Sequence, residues 1–507
     1  MKSQPITLWR GFGLALFASA AFAQAKPWVE PNDLHLRADL QLLANSGIIT
    51  VPLTTYPLMW DGIISDVRAN SGKANTSLEA SALQRVNRAY RASQGTQVKL
   101  EAGIASDPAR FQHFGTPMRE KAEVTAGVSD QGRWWAYNLE ATLAYDAQDG
   151  EDARLDGSYI AGIVGNWVIS AGYQQQWYGP GWDTTLLMST NARPLPSVNV
   201  TRHSPEAFDV PILEWLGPWT MTTGVGWMND DRYVSDALLW TWRGTIQPHP
   251  NFTIGVSRSA QICGTTNEGF KKSCAIEEWW KMLIGNTNDY VGGNPDEDNP
   301  IANNPANQLA SIDFRWGHTL RDVPYSLYYE IMGEDSFKWR IPPFNAHSHL
   351  YGADISYYIA DQRITTFFEY SETMPSCFYE YNCAYEHGTY KSGYRYHGRV
   401  IGSTYDNDAN TYTLGFIGIN NHNNHLWRAN IRYLELNRQN NDFVLNPEWG
   451  GNQVSDGEDT WVVDFSYRFP LQQGEIELGG QYSYIKYRDG ADNDEDMSGY
   501  VQYRYSF

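Results

Sequence analysis

Hydrophobic and polar residues alternate along most of this chain, most cleanly at its end. Val501, Tyr503, Tyr505 and Phe507 fall on one face of an extended segment, and Gln502, Arg504 and Ser506 on the other. That is the period of two that a strand imposes. The same period runs through Met221, Thr223, Val225 and Trp227, through Leu238, Trp240 and Trp242, and through Ala310, Ile312, Phe314 and Trp316. It returns in Trp427, Ala429, Ile431 and Tyr433, and in Trp461, Val463, Phe465, Tyr467 and Phe469. The opposite faces carry Arg243, Asp313, Arg315, Arg428, Arg432, Asp464 and Arg468. A strand with one aromatic face and one charged face can border lipid on one side and a watery or plugged lumen on the other, as a transmembrane β-barrel requires. In a soluble sandwich the charged face would meet solvent instead.

The connections separate these two readings. From the strand beginning near Asn251, long connections (263–307, 334–346, 374–409, 437–459, 488–498) alternate with short ones (318–323, 359–362, 421–424, 470–474). A barrel with one outer and one periplasmic rim produces that rhythm. It puts Phe507 on the short-turn side with the amino-terminal residues, so both termini are expected in the periplasm and the strand number is even. Twenty extended segments can be counted from about Val98. Two of them, 184–189 and 197–203, fall short of the roughly 9 to 11 residues of a tilted crossing. Without them eighteen strands remain, and 177–210 becomes one long outer loop folded into the lumen.

Ahead of the strands the period is helical. Asn32 or Asp33 can cap a helix carrying Leu36, Leu40 and Leu43, with Gly47 placed to stop it. Thr76 and Glu79 form a capping box followed by Leu83, Val86 and Tyr90, before Gly95. The aromatic and proline-rich link 51–60 reads as packing. At the start, Lys2 and Arg10 precede an apolar run over 11–22 and an Ala-x-Ala site ending at Ala23 or Ala25, which reads as a secretory leader. No other run approaches the roughly 18 apolar residues of a spanning helix. The expected organisation is a leader at 1–23, a periplasmic helical unit at 24–96, and an all-β, antiparallel outer-membrane barrel at 97–507.

Composition agrees with an exported barrel. Aromatic residues make up 14% of the 507 residues while mean hydropathy is −0.49, a polar average with many rings. Losing Lys2 and Arg10 with the leader takes the net charge from −20 to −22, which argues against nucleic acid as a partner. Four cysteines in an oxidising compartment allow three connectivities; local pairing of Cys263 with Cys274 and of Cys377 with Cys383 is expected. The acidic stretch holding Asp289, Asp296, Glu297 and Asp298, and the one over 489–496, could offer oxygen ligands to calcium. Neither has the spacing of a calcium loop, and both read as solvated.

Catalytic patterns are missing. No serine sits in a Gly-x-Ser-x-Gly elbow and no His-x-x-x-His zinc pair with glutamate occurs, so no catalytic residue, metal or cofactor is assigned. Trp177, Tyr178 and Trp182 flank a Gly-Pro-Gly turn. They could present ring faces to sugars, or pack inside the lumen.

These motifs occur in a telling order: Gln176-Trp177-Tyr178-Gly179-Pro180-Gly181-Trp182, Leu216-Gly217-Pro218-Trp219, Asn307-Gln308-Leu309-Ala310-Ser311-Ile312-Asp313, and Ile331-Met332-Gly333-Glu334-Asp335. With the amino-terminal stretch from Asp39-Leu40 to Pro57-Leu58, the ordered set resembles the Wzi family of outer-membrane capsule assembly proteins. The resemblance implies an eighteen-stranded barrel with helices at the periplasmic end. It also implies a non-catalytic lectin, working as a single barrel in outer-membrane lipid, that ties capsular polysaccharide to the cell surface. The cysteine-bearing loops depart from that pattern. Alternative readings are a diffusion porin for sugars or anions and an outer-membrane hydrolase. At −22 the chain should repel an acidic capsule, so affinity is expected from stacked rings (first Trp177, Tyr178 and Trp182), neutral hydrogen bonds, and local arginines or a bridging cation.

Overall fold

The computed structural model describes residues 26–266, 268–269, 271–272, 274–284, 306–334, 347–374, 376–377, 380–381, 384–439 and 451–507. The leader therefore lies outside the described residues. Three helices come first: α1 (Leu34–Asn45), α2 (Trp60–Asn70) and α3 (Ser77–Ala92). The barrel opens with β1 (Gln97–Ala105), β2 (Ala122–Gln131), β3 (Trp135–Tyr145), β4 (Tyr159–Val164), β5 (Trp167–Gly172) and β6 (Ser197–Arg202). It continues with β7 (Trp219–Met228), β8 (Ala237–His249), β9 (Phe252–Ile262), β10 (Asn307–Leu320), β11 (Val323–Glu334) and β12 (Ser348–Ile359). The last six are β13 (Gln362–Glu372), β14 (Asn410–Asn420), β15 (His425–Leu436), β16 (Glu458–Leu471), β17 (Gly474–Tyr487) and β18 (Asp494–Ser506). A two-residue piece, Ala153–Arg154, pairs with β3 beside β4 and shares its position. One more helix, α4 (Ile276–Ile284), follows β9.

Each strand pairs antiparallel with the next, and β18 returns to β1 with Tyr500 opposite Ala105 and Ser506 opposite Lys99. The Phe507 and Val98 backbones exchange hydrogen bonds of 3.1 and 2.8 Å at the seam. Closure removes every sheet edge, which a backbone facing hydrocarbon requires because no water is there to pair with it. The alternation then sets the faces. Trp227, Trp316, Ile431 and Trp461 are exposed on the outer wall, while Arg243 and Asp313 are fully buried inside. On the outer wall a row of rings crosses six strands through Tyr329, Tyr351, Tyr370, Tyr412, Tyr433 and Trp461, each opposite the next. Their centroids lie 4.8 to 6.2 Å apart, the contact range of aromatic pairs.

Eighteen strands agrees with the count made from the sequence, but one member differs. The segment set aside as too short, 197–203, is β6, hydrogen-bonded to β5 and β7. It continues a run of short strands, since β4 and β5 before it also have six residues. The inserted loop is therefore 173–196, without the returning strand. Connections 132–134, 165–166, 250–251, 321–322, 360–361, 421–424 and 472–473 are short and share a rim; 203–218 is longer there. The opposite rim carries the long ones.

The helices sit at the short-turn rim, where Arg88 of α3 bonds Asn424 at 2.9 Å. Asp33 caps α1 through the amides of His35 and Leu36, both at 3.0 Å, and Thr76 and Glu79 form the capping box of α3. Leu78, Ala82, Leu83 and Val86 of α3 pack on Leu40 and Leu43 of α1 in one apolar cluster. The sequence reading did not anticipate α2. Its Gly62 is required by Pro205, whose Cγ would stand 2.4 Å from an added Cβ.

Almost all of α1 is buried, so its polar side chains need partners on the wall or in the insert. Asp39 takes Arg85 of α3 at 2.9 Å and Arg363 of β13. Asn45 takes Asp354 at 3.2 Å and Arg315 at 2.7 Å. The 173–196 insert is held in the same manner. Glu369 accepts the amides of Trp182, Asp183 and Thr184; Glu330 accepts Thr185 Oγ1 at 2.9 Å and the Leu186 amide at 3.2 Å. Asp183 in turn accepts Arg432 at 2.8 Å. Burial lowers the His113 imidazole to about 4 against the opposing pull of Asp183, whose carbonyl it contacts at 3.1 Å. Burial raises the Asp183 carboxyl, but Arg432 and then His113 outweigh it and hold the group well below the usual range.

Two predictions follow from this interior. Every nitrogen of the Arg243 guanidinium donates: to Thr55 and Ser257 at 2.7 Å, to Asp313 at 2.6 and 3.1 Å, and to Thr54 at 3.0 Å. Arg243→Ala strands a buried carboxylate and should cost about 3–5 kcal/mol, seen as a lower temperature for loss of the heat-modifiable band on electrophoresis. Arg243→Met with Asp313→Leu should cost clearly less; the reverse order would refute the account. Second, a His113 pKa below its ordinary 6.5 means that His113, once separated from Asp183 of the insert and exposed to water, binds more protons between about 4 and 6.5. Stability from this group is present above pH 6.5 and lost as pH falls. Hydrogen exchange over 177–193, corrected for intrinsic rate, should speed up from pH 7 to about pH 4.5, and His113→Gln should flatten that dependence.

Candidate functional site

The three rings singled out from the sequence are not at the surface. Trp177 and Tyr178 are fully buried and Trp182 is 3% exposed. Trp177 pairs through its backbone with Tyr56, and Tyr178 with Thr55, so the Gly-Pro-Gly turn is clasped by the link between α1 and α2. The side chains have a different task from the one expected. Arg37 of α1 donates to the carbonyls of Pro180 and Gly181 at 3.0 and 2.6 Å. Its guanidinium lies 4.5 Å from the ring of Phe114, 4.7 Å from Trp182, 5.5 Å from Trp177 and 5.7 Å from Tyr56. Buried with no carboxylate in ion-pair contact among the described residues, the cation is held by ring faces instead. Presenting these rings to a sugar would require the insert to leave the lumen. The packing alternative describes them.

Above this layer, on the long-loop rim, five connections converge: 106–121, 146–158, 173–196 and the described parts of 373–409 and 437–457. They enclose a cleft of about 300 Å³ lined by Arg110, Arg119, Gln148, Arg193, Arg399 and Gln453, with the carboxylates of Glu120 and Asp149 and the imidazole of His397 also on its wall. Arg399 donates to the carbonyls of Ala109 and Arg110 at 2.7 and 3.1 Å and to Gln148 Oε1 at 2.6 Å. Arg119 donates to the carbonyls of Asn191 and Thr190 at 2.6 and 3.1 Å. Asn191 thus supports the cleft from the tip of the insert, and its side chain also donates to Gln453 at 2.9 Å. Arg119 and Arg399 are half-buried, whereas Gln148 is exposed at the mouth.

Electrostatics distinguish these two arginines from their neighbours. Arg110 pairs with Glu458 at 2.8 Å, and Arg193 is ringed by Asp149, Glu151 and Asp156 at 2.7 to 2.8 Å. Among the described residues neither Arg119 nor Arg399 makes an ion pair; both are held by neutral oxygens. Burial, and then the like charge of Arg399, pull the Arg119 guanidinium down to about 9. Burial likewise lowers Arg399. Both stay charged at neutral pH, so the cleft carries two under-neutralised cations in a protein of net charge −20. Burial raises the nearby Asp149 carboxyl, but hydrogen bonds from Arg193 and the Glu151 amide outweigh it and bring it to about 2. Such a site offers charge-assisted donors, amides and a half-buried imidazole to an acidic, hydroxyl-rich ligand.

No spacing in the sequence announces this cleft, because Arg119 and Arg399 come from connections far apart in the chain. The only hint was the general expectation of local arginines. Of the cysteines, Cys263 and Cys274 form the expected disulfide. Cys383, and with it the pairing to Cys377, lies outside the described residues, as does the acidic stretch from Asp289 to Asp298.

Comparison with known proteins points to one family. Residues 89–497 match the family described as capsule assembly protein Wzi. A curated relative from Klebsiella pneumoniae, an uncharacterized 55.8 kDa protein in a cps region, is 27% identical over 308 residues. That match covers 60% of this chain and spans 58% of the relative's length. Among solved structures, an outer-membrane protein involved in group 1 capsule assembly in Escherichia coli, described as a carbohydrate-binding β-barrel, superposes with a TM-score of 0.77. It shares 22% identity, with 96% of this chain and 100% of the other covered, a likeness of fold.

Proposed function

The chain belongs to the capsule assembly protein Wzi family, and from that premise we propose that it binds capsular polysaccharide in the long-loop cleft and holds it at the cell surface without catalysis. The observation that carries the reading is the pair Arg119 and Arg399, charged, open to the cleft and lacking a carboxylate partner among the described residues. A glycan bearing carboxylates would complete them. Its neutral hydroxyls would meet Gln148, Gln453 and the ring of His397. The charge conflict set by the acidic surface is then resolved locally, because a guanidinium within a few ångströms outweighs distant, screened charges.

In this proposal the short-turn rim with both termini faces the periplasm, and the cleft faces the medium from a single barrel in outer-membrane lipid. Retention rather than hydrolysis is supported by the acids of the cleft. Asp149 is held ionised by arginines, leaving it no proton to give a glycosidic oxygen, and Glu120 is tied to Arg154 at 2.7 Å. Retention rather than diffusion is supported by the lumen, which α1 and the insert occupy with buried, bonded side chains. Trp177, Tyr178 and Trp182 serve the site from below, by fixing Arg37 and the insert whose tip carries Asn191.

The test is cellular. A strain lacking the protein should still make capsule but shed it into the medium, and the wild-type gene should restore attachment. The Arg119→Gln, Arg399→Gln double variant should assemble, migrate as a heat-modifiable barrel and fail to restore attachment. On purified protein each lost charge-assisted contact is worth about 1.5–3 kcal/mol, roughly ten- to a hundredfold in affinity. A deletion strain with fully attached capsule would overturn the function; a double variant that retains capsule normally would overturn the site alone.

A further inference from the structure

The connection after β9 carries a feature that the cleft does not use. Cys263 is the first residue past β9, and its disulfide to Cys274 brings the chain back to the strand end, with Cα atoms 5.1 Å apart. Two residues later α4 begins. It lies against the outer wall of the barrel. Trp279 packs against the outward cluster of Ala260, Ile262, Cys263 and Ala306, as do Leu238 and Trp240 of β8. Arg258, which shares the outward face of β9 with Val256, stacks 6.0 Å from the Trp240 ring and donates to the Leu283 carbonyl at 3.3 Å. These wall residues stand near the long-loop ends of their strands.

Among the described residues nothing covers the other side of α4. Ile276, Trp280 and Leu283 follow one another at intervals of four and three, so they share a stripe, and they are 87%, 63% and 42% exposed. Exposed Glu277 falls off that stripe. Nine residues of helix reach only about 14 Å, too short to cross a bilayer but long enough to lie along its surface. The stripe is continuous with the lipid-facing wall through Trp279 and Trp240, and an indole at its centre suits the boundary between headgroups and acyl chains.

We propose that α4 is an interfacial helix that rests on the outer leaflet beside the barrel, with Ile276, Trp280 and Leu283 immersed among the lipids. The disulfide holds it at that height. This inference rests on the outer-membrane barrel and not on glycan binding, so the two can fail separately.

The test uses the full-length protein in phosphatidylcholine vesicles whose acyl chains carry bromine close to the headgroup, and in unbrominated vesicles. Wild-type fluorescence minus that of Trp280→Ala isolates the indole. The difference signal should lose most of its intensity to the brominated lipid and be little affected by aqueous iodide. If iodide quenches it and bromine does not, the stripe faces water or awaits a protein, and the proposal is wrong. Heat-modifiable migration checks that the variant has assembled, and Trp280→Phe, which removes the indole but keeps a ring, replaces the alanine variant if it has not.

Discussion

The structure depends on one constraint applied twice: polar groups removed from water must find partners within the protein. On the outer wall it forces the sheet to close, since no backbone N–H facing hydrocarbon can go unpaired. Inside, closure leaves a wide space lined by charges such as Arg243, Asp313, Glu330, Arg363, Glu369 and Arg432, all buried. Buried charges are costly unless paired, so whatever fills the lumen must carry matching groups. α1 brings Asp39 to Arg363, and the insert brings Asp183 to Arg432 and a run of amides to Glu369. Wall and filling are therefore parts of one electrostatic arrangement. Gly255 shows how close that arrangement is, because a Cβ there would stand 2.3 Å from Asp313 and 2.6 Å from Arg243.

The cleft gains meaning as the place where this matching stops. Among the described residues Arg37 also makes no ion pair, but four rings surround it and two carbonyls accept from it. Among the described residues Arg119 and Arg399 bond only neutral oxygens, and they stand beside an opening at the rim. A surface that is acidic overall keeps non-specific polyanions away, while two cations set in a cleft can still recognise an anionic group that reaches them.

Much of the architecture was legible because it is written in local periods. Alternation gave the faces of the wall, the alternating connections gave two unlike rims, and the Thr76–Glu79 box and Asp33 marked helix starts. What was misread had no local signature. β6 failed a length criterion because the two strands before it, equally short, could not be weighed with it. The exposure of Trp177, Tyr178 and Trp182 depended on where Arg37, far away in sequence, comes to rest. The cleft depended on loops meeting in space, and a single arginine in a loop looks like any other. Periodicity reports what an element turns outward, but only tertiary pairing decides which charge is left over.

The measurement that reaches the central claim most directly changes the ligand and leaves the protein intact. An acidic capsular polysaccharide and the same polymer after reduction of its carboxyl groups to alcohols would be titrated against the purified barrel at physiological salt. Reduction preserves the sugar rings and linkages and removes only the charge. The account predicts that binding falls by at least tenfold on reduction, the order expected for losing a charge-assisted contact. Equal affinity for the two polymers would contradict it.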